Sequence, residues 1–248
     1  MLLIFIHPSH FPSISMKKFT HIKSAFVALY ILSLAFSCKR EKTEPIDSYA
    51  YYPLEIGRYA IYDVQEEVYS SGQANPVKKS WQEKDEVDRM STDKNGIPTY
   101  TFARSKRNTG SESWQKVKEF TVQRFPDKLL TNIDNQTYFS LAFPTDPTVT
   151  WNGNSYNNSD ERKFHYEDLG KPVQVGKQNF DRALTVIERK DTSIINRYIG
   201  IKQYGLGVGL LSDDQTALEL CQTEDCIGSG KIESGTRLSR KIVEYGNK

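Results

Sequence analysis

Histidine is nearly missing from this chain. Of four among 248 residues, three fall within the first 21 positions (His7, His10, His21), which leaves His165 alone in the remainder. A histidine-based zinc cluster is thereby excluded, and a Ser-His-Asp triad would have to rest on this one side chain. In the stretch 163–167 the two-residue strand period sets His165 opposite Phe164 and Tyr166, beside Lys163 and Glu167, as a solvated strand position. There is no Gly-x-Ser-x-Gly elbow and no phosphate-binding loop. Charge of one sign is also lacking. With 33 Lys+Arg against 31 Asp+Glu, the formal +2 offers nucleic acid no electrostatic footing. Long amphipathic helical patterns are absent, and the main apolar run, residues 24–36, would reach only about 20 Å as a helix, short of the roughly 30 Å hydrocarbon core of a bilayer.

What is present begins with an address. From Met16 a basic segment with Lys17, Lys18 and Lys23 precedes the apolar run and then Ser37-Cys38, the tripartite order of a secretory signal. The apolar burst of residues 1–15 is broken by Pro8 and Pro12 and stands ahead of a complete signal, so translation is expected to start at Met16. Leu34-Ala35-Phe36-Ser37-Cys38 resembles a bacterial lipobox, in which Cys38 is acylated and becomes the first mature residue. The expected organisation is therefore a signal peptide over 1–37, a lipidated Cys38 with a charged tether over 38–48, and a single β-rich domain over 49–248. Lys39, in place of Asp after the acylated Cys, directs a lipoprotein to the outer membrane.

Cys221 and Cys226 remain as an even pair in a compartment where disulfides persist, and they read as a local loop staple. A redox couple wants two intervening residues where this pair has four, and a metal site would need another half.

Beyond residue 37, Leu, Ile, Val and Phe make up about 21% of the chain, just above the level at which charged sequences stay disordered. Thirteen Tyr and three Trp add to the core. Short runs rich in Tyr, Val, Ile, Thr and Phe recur between turn signals, which predicts an all-β antiparallel meander of about ten strands, as a curved half-barrel or a sandwich. Ala60, Tyr62, Val64 and Val68 share one face, and Phe139, Leu141 and Phe143 alternate. The charged run around 77–90, with Val77, Trp81 and Val87 on one alternation face, reads as an edge or solvent-lined strand.

Three features carry candidate chemistry. Gly205-Leu206-Gly207-Val208-Gly209-Leu210 lacks the spacing and βαβ setting of a dinucleotide loop, so its glycines are assigned to a bulge or close packing in an apolar strand. Adjacent carboxylates such as Glu66-Glu67 and Asp213-Asp214 face opposite ways on a strand and cannot share a proton. In Trp151-Asn152-Gly153-Asn154-Ser155-Tyr156, the rings of Trp151 and Tyr156 could stack on a sugar while Asn152 and Asn154 bond its hydroxyls. Together with Asn158 and Asp160, the Asn oxygens could also meet Ca²⁺, although Asn-Gly is equally a turn former. No cofactor is called for.

Tyr51-Tyr52-Pro53-Leu54-Glu55-Ile56-Gly57-Arg58-Tyr59-Ala60-Ile61-Tyr62, then Leu141-Ala142-Phe143-Pro144 with Trp151-Asn152-Gly153-Asn154, and then Tyr204-Gly205-Leu206-Gly207-Val208-Gly209-Leu210 resemble signature segments of an uncharacterised cell-envelope lipoprotein family of Bacteroidota. Ala60 stands where that opening carries Trp. The resemblance implies an outer-membrane-anchored β-rich domain and transfers no activity. The expected function is a lipid-anchored, non-enzymatic module that binds a ligand or partner with its curved sheet: a lipid on an apolar concavity, a glycan on Trp151 and Tyr156, or an envelope protein. An envelope hydrolase would instead need carboxylates, or His165 with a Ser, converging in a cleft.

Overall fold

The computed structural model describes residues 47–248; the expected signal segment, Cys38 and most of the tether lie outside the described residues. After one 3-10 turn, Ser48–Tyr51, the chain forms β1 (Arg58–Tyr69), β2 (Val77–Thr92), β3 (Pro98–Arg107), β4 (Gln115–Arg124), β5 (Lys128–Ile133), β6 (Gln136–Ala142), β7 (Thr150–Asn152), β8 (Lys163–Val175), β9 (Gln178–Thr192), β10 (Asn196–Gly205), β11 (Gly209–Leu220) and β12 (Ile232–Asn247). Turn chemistry sets the breaks. Asp134 and Asn135, both at positive φ (52° and 60°), make the two-residue turn from β5 to β6 that right-twisted strands favour.

All twelve strands form one antiparallel sheet in the order β6-β5-β4-β3-β2-β1-β12-β11-β10-β9-β8-β7. The sandwich alternative is not adopted, and the meander has twelve strands where about ten were expected. The first and last strands pair at the middle of the sheet, so its two edges, β6 and β7, are consecutive in the chain. One-residue register shifts, such as those at Ile61/Tyr62 and Val87/Arg89, add local twist and help the sheet curl until these edges meet. The seam is short of backbone pairing. Phe139 N–H donates to Gly153 O (2.9 Å), the Trp151 indole Nε1–H donates to Phe139 O (2.8 Å), and the Asn157 amide donates to Thr137 O (2.9 Å). Side chains thus satisfy edge groups that a thirteenth strand would otherwise cover.

The segment leading into β1 lies across one end of this barrel-like sheet. Tyr49 donates its hydroxyl to Pro126 O (2.9 Å) and meets the Phe143 ring edge-on, Ser48 Oγ accepts from the Thr145 amide (3.0 Å), and Gly207 N–H donates to Ala50 O (2.7 Å). Tyr51 turns inward from this cap, and beneath it Val122, Leu129, Leu141 and Leu184 are fully buried, each of the four contributing about 1.5–3 kcal/mol by leaving water. A second cluster joins the tip of the β8–β9 hairpin, through Val175 and Phe180, to Tyr62, Leu211 and Ile242.

Two strand-level expectations change. β2 is not an edge: it pairs with β1 and with β3 along its length. Its charges find partners inside the curl, which removes the reason for keeping it at the rim. The glycines of 205–209 are only partly within strands: Gly205 ends β10 and packs closely as expected, a Cβ there meeting Leu211 Cδ2 at 3.0 Å, and Gly209 opens β11, but Gly207 turns the chain at φ 76° between them.

Candidate functional site: a polar cavity inside the barrel

Alternation along β2 puts Trp81, Glu83, Asp85 and Val87 on one face, and that face points inward. Asp85 stands directly opposite Arg104 of β3. Arg104 closes a bidentate bridge on it, Nε to Oδ1 at 2.6 Å and Nη2 to Oδ2 at 2.7 Å, and Arg240 of β12 adds Nη2 to Oδ2 at 3.0 Å. Arg240 Nε lies 3.0 Å from Glu83 Oε2, close enough for a charge pair although the angle does not complete a hydrogen bond. Glu83 Oε1 accepts from the Trp81 indole at 2.9 Å. The Arg240 guanidinium also lies over the Tyr62 ring, 4.3 Å from its centre.

A second group continues the belt. Lys202 Nζ donates to Glu188 Oε1 at 2.6 Å, and Gln215 Nε2 bridges Glu188 Oε2 (2.9 Å) and Asp213 Oδ1 (2.8 Å). Gly200 makes room for this: a Cβ there would come within 2.9 Å of Gln215 Oε1 and 3.2 Å of Glu188 Cβ.

Burial works to raise the Asp85 carboxyl, yet the guanidiniums of Arg104 and Arg240 hold it below its ordinary value. Burial likewise opposes the charge on Arg104, Arg240 and Lys202. Asp85 overcomes it for the two arginines, and Glu188 with Asp213 overcomes it for the lysine, so all three are pushed up. These groups stay ionised through the physiological range.

Between the charged belt and the aromatic layer under the cap is a cavity of about 340 Å³, reaching from Tyr52 and Tyr204 at its floor to Tyr138 and the exposed Arg162 at its rim. Phe120 and Phe164 supply apolar wall. Tyr204 is 3% exposed, and burial, followed by the nearby Glu188, pushes its phenol well above the ordinary value. Burial and Asp85 do the same to Tyr52. Neither hydroxyl hydrogen-bonds to another described residue, in contrast to Tyr62, which donates to Leu210 O (3.0 Å), and Tyr166, which donates to Ala142 O (2.7 Å). A groove of about 430 Å³ outside the barrel, between Lys177 and Lys241, is lined mainly by solvent-facing side chains.

The residues singled out in the sequence lie mostly away from this cavity. Trp151 is 7% exposed, packed against Phe139, Phe164 and Tyr166, so its face is core and not a stacking surface. Tyr156 is the ring of that pair that faces solvent. Asn152 Oδ1 accepts from the amides of Asn154 and Arg162, both at 3.0 Å, and the Asn154 amide donates to Asp160 O at 2.6 Å, so the segment's polar groups hold its own turn. Asn154 alone of the four also borders the cavity. Among the described residues, no three His, Cys, Asp or Glu side chains are grouped to hold a metal ion. His165 faces outward, its Nε2 3.4 Å from Glu167 Oε1. Cys221 and Cys226 form a disulfide in the connection from β11 to β12.

Sequence reasoning does not single out Arg104, Glu188, Lys202 or Arg240, takes Asp213 only as the neighbour of Asp214, and reads Asp85 as part of an edge or solvent-lined strand. The overlooked signal was parity: Glu83 and Asp85 alternate in step with Trp81 and Val87, and Arg240 in step with Leu238 and Ile242. Among the described residues, no helix is long and apolar enough to cross a membrane. Compared with protein families, curated proteins and solved structures, the chain matches none of them.

Proposed function

We propose that this protein is an exported, lipid-anchored module of the cell envelope that binds a small molecule inside its barrel without transforming it. The observation that carries this is the interior cavity of about 340 Å³, which falls within the roughly 300–1,000 Å³ typical of small-molecule sites and combines apolar wall with convergent polar groups. Nearly every acid and base facing it is tied to a partner of opposite charge or to an amide. Such pairing fixes protonation states and suits recognition better than proton transfer near neutral pH.

The anchor rests on the signal-like segment and Cys38, and the Cys221–Cys226 disulfide agrees with an oxidising compartment. Nine residue steps separate Cys38 from Asp47, so the tether reaches at most about 30 Å and would hold the capped end of the barrel near the membrane. The charged belt weighs against an acyl chain as cargo, since a hydrocarbon would strip water from these groups and return no hydrogen bonds.

The test is native mass spectrometry of the full chain carrying Cys38→Ala, exported to a bacterial periplasm and purified without detergent. A small-molecule adduct released on denaturation, and absent when Ser140→Trp fills the cavity of a folded variant, is the expected result. An adduct-free protein whose melting temperature moves with no neutral, ionic or amphiphilic small molecule would overturn the proposal.

A further inference from the structure

We infer that the cavity takes an uncharged, hydroxyl-rich ligand with one or two sugar-sized rings. This rests on the interior-binding function proposed above and adds the ligand's chemistry.

Charge balance comes first. Four acids (Glu83, Asp85, Glu188, Asp213) face three buried bases (Arg104, Lys202, Arg240) in the belt, with Arg162 at the rim restoring equality. Each buried base already lies within 3.0 Å of a carboxylate oxygen. A ligand carboxylate or ammonium reaching Asp85, Glu188 or these three bases would have to break an existing pair in a buried interior, which is costly.

Pairing does not exhaust the hydrogen-bonding capacity. A carboxylate has about four lone-pair sites and a lysine ammonium three donors, so the belt presents donors and acceptors side by side. A hydroxyl is the ligand group that donates and accepts at once, and it can bridge such neighbours without bringing charge. The floor supplies the second observation. Tyr204, 97% withdrawn from solvent by the 3% exposure given above, aims an unpartnered hydroxyl at the cavity, with Tyr52 beside it. Because burial holds both phenols protonated, each remains able to donate to a ligand oxygen or accept from a ligand hydroxyl. Phe120 and Phe164 complete the lining as apolar wall; both rings are buried and packed on Phe102 and Trp151, so they bound the space without offering a stacking face.

The experiment titrates the exported Cys38→Ala full chain with glucose, N-acetylglucosamine and maltose, with glucuronate and glucosamine as charged counterparts, and with decanoate. Calorimetry and melting temperature are both read. At least one neutral sugar is expected to bind and raise the melting temperature, with its charged counterpart at least tenfold weaker. Tyr204→Phe and Tyr52→Phe should each weaken the neutral sugar by about tenfold, the worth of one hydrogen bond, while leaving the melting temperature of the empty protein nearly unchanged. A purely structural role for these tyrosines would move the melting temperature instead. Binding of only the charged sugars or decanoate, or of glucuronate as tightly as glucose, overturns the inference and leaves interior binding standing. If no probe binds and no adduct is found, both fall.

Discussion

Asp85 and Arg104 face each other across β2 and β3, and their bidentate bridge, at 2.6 and 2.7 Å, lies inside the barrel. Arg240, 155 positions away from Asp85 in the chain, is held by the same carboxylate. The bridge therefore links the first half of the sheet to its last strand near the line where β1 and β12 join.

Replacing Asp85 by Asn leaves two buried guanidiniums facing an uncharged amide, and the expected loss of stability is about 3–5 kcal/mol by denaturant unfolding. The folded-state pKa of Asp85 is depressed, so its contribution is present above the ordinary value near 3.8 and is lost as pH falls through the lower folded value. Circular dichroism during acid titration should show unfolding below about pH 4. Asp85→Asn should flatten that limb, and an unchanged acid profile would remove Asp85 from the account.

On the alkaline side the sign reverses. Burial raises the phenols of Tyr52, Tyr62, Tyr166 and Tyr204, and the balance of burial and carboxylates raises Lys202. Their stabilising effect is complete below the ordinary values near 10 and is lost as pH rises toward the folded ones. Tyrosinate absorbance should appear in two phases, the exposed rings first and the buried group together with loss of sheet signal. A single phase without unfolding would contradict this burial.

Tyr166 and Tyr204 are both buried tyrosines with opposite expectations. The Tyr166 hydroxyl donates to Ala142 O (2.7 Å) and accepts from Ala142 N–H (2.9 Å), so Tyr166→Phe should cost about 1–3 kcal/mol by orphaning that backbone pair. Tyr204→Phe removes a hydroxyl with no such bond and should melt within a few degrees of the parent. Equal losses in thermal scans of the two variants would erase the distinction.

Gly153 packs so tightly that a Cβ would lie 2.2 Å from Phe164 Cζ, inside the ring's own volume. Gly153→Ala is expected to destabilise by about 1–3 kcal/mol and to loosen the β6–β7 seam, where Gly153 O accepts from Phe139 N–H. Amide hydrogen exchange at Phe139 reads the seam directly.

The Cys221–Cys226 bridge closes a short loop, for which chain entropy gives about 2 kcal/mol. Intact mass should fall about 2 Da below that of the reduced chain, the two hydrogens lost on bridging. Cys221→Ser with Cys226→Ser should fold to the same sheet with a lower denaturant midpoint, measured beside the parent.

Much of the sheet was legible along the chain. Ala60, Tyr62 and Val64 on β1, and Leu184 and Val186 on β9, show their period plainly because a strand turns its side chains over every two residues whatever surrounds it. The site was not legible in the same way. The charges of β2 looked like a wet edge because their partners, Arg104 and Arg240, lie 19 and 155 positions from Asp85. The Trp151 ring was visible as a large aromatic, but whether it faced water depended on the closing of β6 against β7, which brings Phe139 over it.

The sequence by itself determined an antiparallel all-β meander, the turns that break it, and the short spacing that lets Cys221 reach Cys226. These follow from local backbone preference and from distances of a few residues. Only the tertiary structure decided that the sheet curls edge to edge under its own N-terminal cap, that a belt of paired charges lies inside, and that Tyr52 and Tyr204 face a cavity. A charged strand face is wet or buried according to whether a counter-charge meets it, and only the folded sheet brings that partner within 3 Å.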